Sequence, residues 1–128
     1  MALIIDLKPQ ERIIIGNALV TNDAHRARLH IEGDAPIMRE KDIMREEEAN
    51  SPCKRIYFII QLMYLAKDPA DLHDDHFKQI REVQDAAPST TTFFMKMSDF
   101  IMKNQYYKAL KEARLLMDHE RELIANVG

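Results

Sequence analysis

Residues 51–69 read SPCKRIYFIIQLMYLAKDP, and this stretch separates two kinds of sequence. Ser51-Pro52 is a typical helix start, with a serine cap followed by proline at the first helical position, and Asp68-Pro69 repeats that signal. The apolar run between them is broken by Gln61 and is shorter than the roughly 20 residues that span a bilayer. The stretch therefore predicts a helix over residues 52–67 that belongs to a core and not to a membrane.

Short runs of aliphatic and β-branched residues precede this helix. They are separated by turn-forming residues such as Gly16-Asn17 and Glu32-Gly33-Asp34, in which glycine and asparagine tolerate a positive φ. Such runs favour strands, so we expect four or five short antiparallel strands. The runs are Leu3–Ile5, Arg12–Ile15, Ala18–Thr21 and Arg28–Ile31.

Apolar residues recur at helical spacing after the quoted stretch. Pro88 ends the first of three further predicted helices, and the hydroxyls of residues 89–92 offer caps for the next. The predicted stripes are Leu72, His76, Ile80, Val83 and Ala87; Phe93, Met97, Phe100 and Ile101; and Tyr106, Leu110, Ala113, Met117 and Ile124.

These patterns predict the α+β class, with a small N-terminal antiparallel β unit followed by about four α-helices. The acidic run at residues 46–48 marks the boundary, which gives a β unit over residues 1–48 and a helical region over residues 49–128. We expect the two to share one core. A β unit of this size buries too little surface to be stable unless it pairs with a second copy or with the helices, and we expect a homodimer.

The charge of the chain limits how it can bind nucleic acid. Its formal net charge is −3, which argues against binding through a large positive field. Residues 1–45 balance seven basic side chains against seven acidic ones, so the negative excess lies after Arg45. The first third is therefore the better candidate for contacting phosphate.

Catalytic motifs are missing from the sequence. The three glycines form no nucleotide-binding loop, and the single cysteine, Cys53, cannot form an internal disulfide. Asp6 interrupts the apolar start before the core of a signal peptide could form, which indicates a cytoplasmic protein. We predict no catalytic site and no cofactor, with Cys53 partly buried beside a helix start.

His73 and His76 lie three residues apart among aspartates, and this spacing raises a metal hypothesis. An acidic helix start that interacts well with the helix dipole explains the aspartates without a metal. A structural zinc site needs three or four ligands, so we predict no metal site.

Alternating charges from Arg39 to Arg45 have two interpretations. Such a pattern usually marks a solvated face or local salt bridges, but Arg39, Lys41 and Arg45 could instead point toward RNA phosphates. Four tyrosines lie in helical apolar stripes, where core or interface packing is favoured over stacking on bases for all except Tyr107. They are Tyr57, Tyr64, Tyr106 and Tyr107.

Several strings spread over nearly the whole chain resemble the FlbT family. They are Leu7-Lys8-Pro9 with Glu11, Ile15-Gly16-Asn17-Ala18, Met38-Arg39-Glu40-Lys41-Asp42-Ile43-Met44, Ile56-Tyr57-Phe58, Gln61-Leu62-Met63-Tyr64-Leu65 and Tyr107-Lys108-Ala109-Leu110. The resemblance implies a regulator that binds the 5′ untranslated region of flagellin mRNA and alters its translation or decay. Repression is the better-known outcome, although some members promote flagellin expression. It also implies FlaF, a small flagellin-associated regulator, as a partner.

A second resemblance concerns residues 1–45, whose strand and turn order is similar to that of the carbon storage regulator (CsrA) family of mRNA-binding proteins. It rests on Glu11, Ile15-Gly16, Arg28-Leu29-His30-Ile31, Asp34-Ala35-Pro36 and Arg39-Glu40 with Ile43. The resemblance implies five strands per chain interleaved between two chains. It places an RNA-contacting arginine at Arg39 and a basic pair at Leu7 and Lys8, where Leu7 departs from the pattern.

Together these observations predict a non-enzymatic, RNA-binding regulator of flagellin synthesis. The alternative is a protein-interaction module or chaperone-like adaptor that binds flagellin or FlaF through its methionine-rich helices and affects mRNA indirectly. The predicted RNA-binding residues are Lys8, Arg28, Arg39, Lys41 and Arg45, and the predicted partner-binding residues are Tyr57, Tyr64 and Tyr107.

Overall fold

The computed structural model describes residues 2–66 and 68–127 and confirms the α+β class. Five short strands come first and four α-helices follow, in the predicted order. The strands are β1 (Ala2–Leu7), β2 (Arg12–Ile15), β3 (Ala18–Thr21), β4 (Ala27–Glu32) and β5 (Ile37–Arg39), and the helices are α1 (Pro52–Leu65), α2 (His73–Ala86), α3 (Thr91–Met102) and α4 (Tyr106–Val127).

The chain divides into two compact units, Met1–Ile43 and Met44–Gly128. The division falls before the acidic run at residues 46–48 and not after it, because this run forms a short 3-10 turn within the second unit. The first unit holds all five strands and the second holds all four α-helices. A core shared by the two units stays a prediction.

The first unit contains two antiparallel sheets. β1 pairs with β4 in one of them, and β3, β2 and β5 form the other in that order. Side chains alternate between the faces of each strand, so one face of each sheet is apolar. Ile5, Leu7 and Ile13 are buried at the centre, and Ile15, Val20, Leu29, Ile31 and Ile37 pack against them.

A two-residue turn at Gly16 and Asn17 joins β2 to β3, as the sequence predicts. Gly16 has a φ of +64°, in the left-handed region that glycine adopts at little steric cost. The N–H of Gly16 also donates to the carbonyl oxygen of Pro36 at 2.8 Å, which fixes the approach to β5.

Helix α1 packs against both α2 and α4 in the second unit, and α3 packs against α4. It begins as predicted, since the Ser51 hydroxyl oxygen accepts a hydrogen bond from the N–H of Lys54 at 3.2 Å. It ends at Leu65, two residues before the predicted end at 67. Its buried side chains are those of Cys53, Ile56, Tyr57, Ile60, Gln61 and Met63.

Two predicted helix caps are wrong. Asp68 makes no capping hydrogen bond, and the residues after it, Pro69–Leu72, form a 3-10 turn before α2 begins. The hydroxyl of Thr90 donates to the Ala87 carbonyl at 2.6 Å and does not cap the start of α3. Serine and threonine bond either to a helix start or to the preceding turn, and spacing does not distinguish the two.

The predicted apolar stripes are correct in part. His76, Ile80, Val83, Met97 and Ile101 are buried on α2 and α3 as expected. On α4 the buried residues are Ala109, Leu110, Ala113 and Leu116, whereas Ile124 is 65% exposed and does not belong to the core. Within the described residues, no helix is long and apolar enough to cross a membrane.

Candidate nucleic-acid interface

The pairing of β1 with β4 places Asp6 directly opposite Arg28. Ile5 and Leu7 point into the core, so Asp6 lies on the opposite, exposed face of β1. Nε of Arg28 donates to Oδ1 of Asp6 at 3.0 Å, and both side chains remain mostly exposed. The guanidinium is therefore held in position but stays accessible to solvent.

Arg39, the last residue of β5, reaches the same position from the other sheet. Its Nη2 donates to the main-chain carbonyl oxygen of Asp6 at 2.8 Å and lies 3.5 Å from Oε2 of Glu11. Its Nε–H is buried and has no acceptor among the described residues. The arginine is thus partly structural, with a side chain that is 37% exposed.

Arg26 completes the group, which we call the arginine cluster: Arg26, Arg28 and Arg39 around Asp6. The hydrogen bond and charge of Arg28 are the largest causes that hold the pKa of Asp6 below its ordinary value, and Arg26 and Arg39 lower it further. The cluster carries three positive charges, with the carboxylate of Asp6 at its centre and that of Glu11 beside Arg39.

Lys8 adjoins the cluster through Glu11. The N–H of Lys8 donates to Oε1 of Glu11 at 2.9 Å, and this bond is the largest cause of the lowered pKa of Glu11. The charges of Arg39 and of the Lys8 side chain contribute in the same direction. Cations from the β1–β2 turn, from β4 and from β5 therefore lie at one end of the first unit.

Asn22 holds the loops at this end together. Its side-chain Nδ2 donates to the carbonyl oxygens of Lys8 and His25, each at 2.8 Å. His25 precedes Arg26, so this amide ties the turn that carries Lys8 to the loop that carries Arg26. One side chain thereby fixes the spacing between two of the cations.

Three of the five predicted RNA-binding residues, Lys8, Arg28 and Arg39, thus lie close together. Lys41 is exposed in a 3-10 turn next to Glu40, which pairs with Arg12 at 2.9 Å. Arg45 belongs to the second unit, where its N–H donates to Oε1 of Glu48 at 3.0 Å. Ion pairs at Glu40 and Arg39 fit the interpretation of local salt bridges, and contact of the charged string with RNA phosphates stays a prediction.

Sequence reasoning missed Arg26 as a site residue. It lies two positions before Arg28, and this spacing places both side chains on the same side of an extended chain. The alternation within residues 26–31 was the signal that could have identified it. In the sequence Asp6 is visible only as an interruption of the apolar start. Its position at the centre of the cluster follows from the strand register, which pairs it with Arg28.

The cluster has the chemistry that binds phosphate. Arginine presents several donors in a planar fork that matches phosphate oxygens, and it keeps its charge at every physiological pH. The carboxylates of Asp6 and Glu11 reduce the net field, which weakens indiscriminate binding to polyanions. A local positive group in a chain of net charge −3 favours a short, defined contact.

The three predicted partner-binding tyrosines have different environments in the second unit. Tyr57 is 2% exposed and accepts a hydrogen bond from Nη2 of Arg114 at 3.0 Å, so its ring lies in the core. The rings of Tyr64 and Tyr107 pack with their centroids 5.9 Å apart, and Tyr107 is 46% exposed. Partner binding by these residues stays a prediction.

Cys53 and the two α2 histidines have environments that disfavour catalysis. Burial, followed by the charge of Glu120, raises the pKa of the Cys53 thiol to about 12, which leaves almost no thiolate at neutral pH. Cys53 is fully buried, more than predicted.

Nε2 of His73 lies 3.1 Å from the hydroxyl of Tyr106, and neither ring nitrogen of His76 has a partner among the described residues. Across the described ranges, no group of three His, Cys, Asp or Glu side chains is placed to hold a metal.

The fold and the site together define a small α+β protein with a cationic cluster on its β unit and a separate helical unit. The chain matches the family described as "Flagellar protein FlbT" over residues 3–124. It belongs to this family. No solved structure matches it, and the resemblance of residues 1–45 to the CsrA family stays a prediction.

Relatives with this family name are similar over nearly the full chain. A protein of Bradyrhizobium diazoefficiens named "Probable flagellum biosynthesis repressor protein FlbT 1" is 44% identical over 96% of this chain and 85% of its own length. A protein of Rhodopseudomonas palustris named "Probable flagellum biosynthesis repressor protein FlbT" is 44% identical over 98% of this chain and 99% of its own length. The "Flagellum biosynthesis repressor protein FlbT" of Caulobacter vibrioides is 31% identical over 100% of this chain and 93% of its own length.

Proposed function

We propose that this chain is a post-transcriptional regulator of flagellin synthesis that binds the 5′ untranslated region of flagellin mRNA. Binding alters translation or decay of the message, and the protein contributes no catalytic chemistry. It acts in the cytoplasm, where the message is translated. The names of the relatives support a regulatory role in flagellum biosynthesis, with repression as the expected direction.

The observation that carries the proposal is the arginine cluster. Arg26, Arg28 and Arg39 lie around Asp6, with the carboxylate of Glu11 beside Arg39, although the chain as a whole is acidic. Phosphate contacts by arginine and lysine supply most of the affinity in nucleic-acid binding and position the ligand. A cluster of this size suits two or three phosphates of a leader RNA.

A second copy of the chain is the partner that the β unit favours. Its sheets have two and three strands, fewer than most stable sheets contain. Leu3, Ile4 and Leu19 on these strands are 48%, 57% and 58% exposed. Pairing with a second β unit would cover such residues. Light scattering should give the mass of a dimer, and Leu19→Lys should shift it toward the monomer if β3 forms the contact.

Anisotropy of a labelled flagellin leader RNA tests direct binding. The double variant Arg26→Gln/Arg28→Gln removes two cluster charges. The matched control Arg55→Gln/Arg81→Gln removes two exposed arginines of the helical unit. Loss of two phosphate contacts should flatten the plot of log affinity against log salt by about 1.4, since each contact to a single strand contributes about 0.7.

The titration is repeated with FlaF present. Direct action requires the purified protein to bind the leader alone and the cluster variant to bind more weakly than the control. If binding needs FlaF, direct action is wrong. If the two double variants bind equally, RNA recognition by the arginine cluster is wrong.

A second candidate function is a protein-interaction module that binds flagellin or FlaF. Met95 and Met102 favour it, because they lie seven residues apart on one face of α3 and are 69% and 78% exposed. Methionine forms adaptable surfaces that accept apolar partners. Calorimetry of the protein with FlaF, compared with Met95→Gln/Met102→Gln, separates this candidate from RNA binding.

A further inference from the structure

Helix α4 carries its charges in an order that does not favour its own stability. Between residues 106 and 117 it has three basic side chains and one acidic side chain, whereas residues 118–127 have three acidic and one basic. Its first turn contains no acidic residue and its last turn no basic residue. Helix dipoles favour the opposite arrangement, with acids near the start and bases near the end. Another requirement must therefore explain the basic half.

The basic side chains share one exposed face with an aromatic ring. Tyr107, Lys108, Lys111 and Arg114 follow one another at helical spacing, and all four are exposed. The opposite face, with Ala109, Leu110 and Ala113, is buried. We call these four exposed residues the α4 basic face.

Tyr107 is held in a way that suits a stacking platform. Its ring packs on that of Tyr64 from α1, with centroids 5.9 Å apart and planes 32° apart, yet 46% of the residue is exposed. The Lys111 ammonium lies 5.1 Å from the centroid of the Tyr107 ring. Since Lys111 is exposed, its flexible chain can exchange this contact for a phosphate.

Arg114 is held in place by Tyr57 of α1. Its Nη2 donates to the Tyr57 hydroxyl at 3.0 Å, and its guanidinium carbon lies 5.6 Å from the centre of the Tyr57 ring. The Tyr57 ring is buried, so the base-stacking ring of this face is Tyr107, and Arg114 is a positioned cation on the same face. Exposed rings with neighbouring cations are how proteins bind single strands, with bases on rings and phosphates on charges.

We infer that the α4 basic face is a second contact surface for single-stranded RNA, with Tyr107 stacking on a base and Lys108, Lys111 and Arg114 facing phosphates. The inference rests on the proposed function, because it gives the same RNA a contact in the helical unit. RNA is favoured over an acidic protein because the ring of Tyr107, with Lys111 over it, is exposed and offers a base a surface on which to stack.

The first experiment uses a single-tryptophan reporter in the full chain. The protein has no tryptophan, so Tyr107→Trp reports on this face alone, and Leu62→Trp on α1, at a residue of similar exposure, is the matched control. The probes are an octamer of uridylate and the flagellin leader RNA. We expect both to quench the fluorescence of the tryptophan introduced by Tyr107→Trp, as stacking requires, and to leave the Leu62→Trp variant unchanged.

The second experiment needs no reporter. Lys108→Gln/Lys111→Gln should weaken binding of the uridylate octamer roughly tenfold at physiological salt and flatten the salt dependence by about 1.4. The control Lys78→Gln/Lys96→Gln removes two exposed lysines from α2 and α3 and should bind like the parent.

Several outcomes would overturn the inference. One is that leader RNA binds but leaves the fluorescence of the Tyr107→Trp variant unchanged, and that Lys108→Gln/Lys111→Gln binds like its control. If Arg26→Gln/Arg28→Gln still weakens binding in that case, the proposed function stands and only the α4 contact is wrong. Equal quenching by poly-glutamate would assign the face to an acidic protein. A parent protein that binds no RNA would overturn both proposals.

Discussion

Nη2 of Arg39 donates a hydrogen bond to the main-chain carbonyl oxygen of Asp6 at 2.8 Å, and this bond joins the two sheets of the first unit. Arg39 ends β5 in the three-stranded sheet, and Asp6 lies in β1 of the two-stranded sheet. The bond orients the same guanidinium toward Glu11 and beside Arg28. The proposed RNA contact is therefore also a structural connection, and substitutions should report both roles.

Replacing Arg39 with alanine should lower the free energy of unfolding by about 1–2 kcal/mol, because a charge-assisted hydrogen bond between the sheets is lost. Leader RNA should bind more weakly as well. Arg39→Lys should retain part of the affinity, since it keeps the charge but loses the planar fork. Urea unfolding and RNA anisotropy measure the two effects separately. An alanine variant that unfolds and binds like the parent would show that Arg39 has neither role.

Asp6→Asn should strengthen RNA binding and make it less selective. The exposed carboxylate holds Arg28 and competes with phosphate for it, so its removal frees one cation. The slope of log affinity against log salt should steepen by less than about 0.7, because Arg28 already contacts phosphate in the parent and only its competition with the carboxylate is removed. Stability should change little, because exposed ion pairs contribute little to folding.

Anisotropy with leader RNA and with a uridylate octamer provides the measurement for Asp6→Asn. The matched control is Asp23→Asn, an exposed aspartate in the loop between β3 and β4. Unchanged affinity for both RNAs would mean that Arg28 makes no phosphate contact, and the arginine cluster would lose its central member.

The class and element order of this chain could be predicted because local patterns determine them. The strand runs and the Gly16-Asn17 turn carry period-two and turn signals, and the Ser51 cap marks the start of α1. Strand pairing depends on contacts distant in sequence. The meeting of Asp6, Arg28 and Arg39 could therefore not be obtained from spacing.

Helix ends were the least predictable parts of the fold. Ile124 fits the helical stripe of α4, yet it is exposed because it lies in the last turns of the helix, beyond the buried residues from Ala109 to Leu116. Any of the hydroxyls of residues 89–92 offers a cap for α3, yet Thr90 at the N-cap position donates to a turn carbonyl instead. A hydroxyl satisfies either partner equally well, so local sequence does not distinguish these outcomes.

His76→Leu should raise stability most in acid. Burial, together with the charge of His73, lowers the pKa of His76 to about 4 from its ordinary 6.5. Between these values the unfolded chain binds a proton that the folded chain does not, so stability is complete above about pH 6.5 and is lost as the pH falls toward 4. The variant should gain about 2 kcal/mol relative to the parent at pH 5, from about 1.4 kcal/mol per pH unit.

The gain should extend in part to neutral pH, because neither ring nitrogen of His76 has a partner among the described residues and burial of an unpaired polar group is costly. Urea unfolding at pH 5 and pH 8 measures both effects. His25→Leu, in an exposed loop, should unfold like the parent at both values. Equal effects of His76→Leu at the two pH values would contradict the proposed pH dependence.

Glu120→Ala should destabilise the helical unit by about 1–3 kcal/mol, because the carboxylate of Glu120 on α4 binds the start of α1. Oε1 accepts from the Ser51 hydroxyl, and Oε2 accepts from the N–H of Cys53 at 3.0 Å. The substitution leaves the Cys53 N–H without its acceptor and frees the Ser51 side chain that caps α1.

Glu122→Ala, an exposed neighbour on the same helix, is the control and should change the free energy of unfolding by less than about 0.5 kcal/mol. Thermal unfolding followed by circular dichroism distinguishes the two variants. Equal melting temperatures would mean that this carboxylate does not contribute to the packing of α4 against α1.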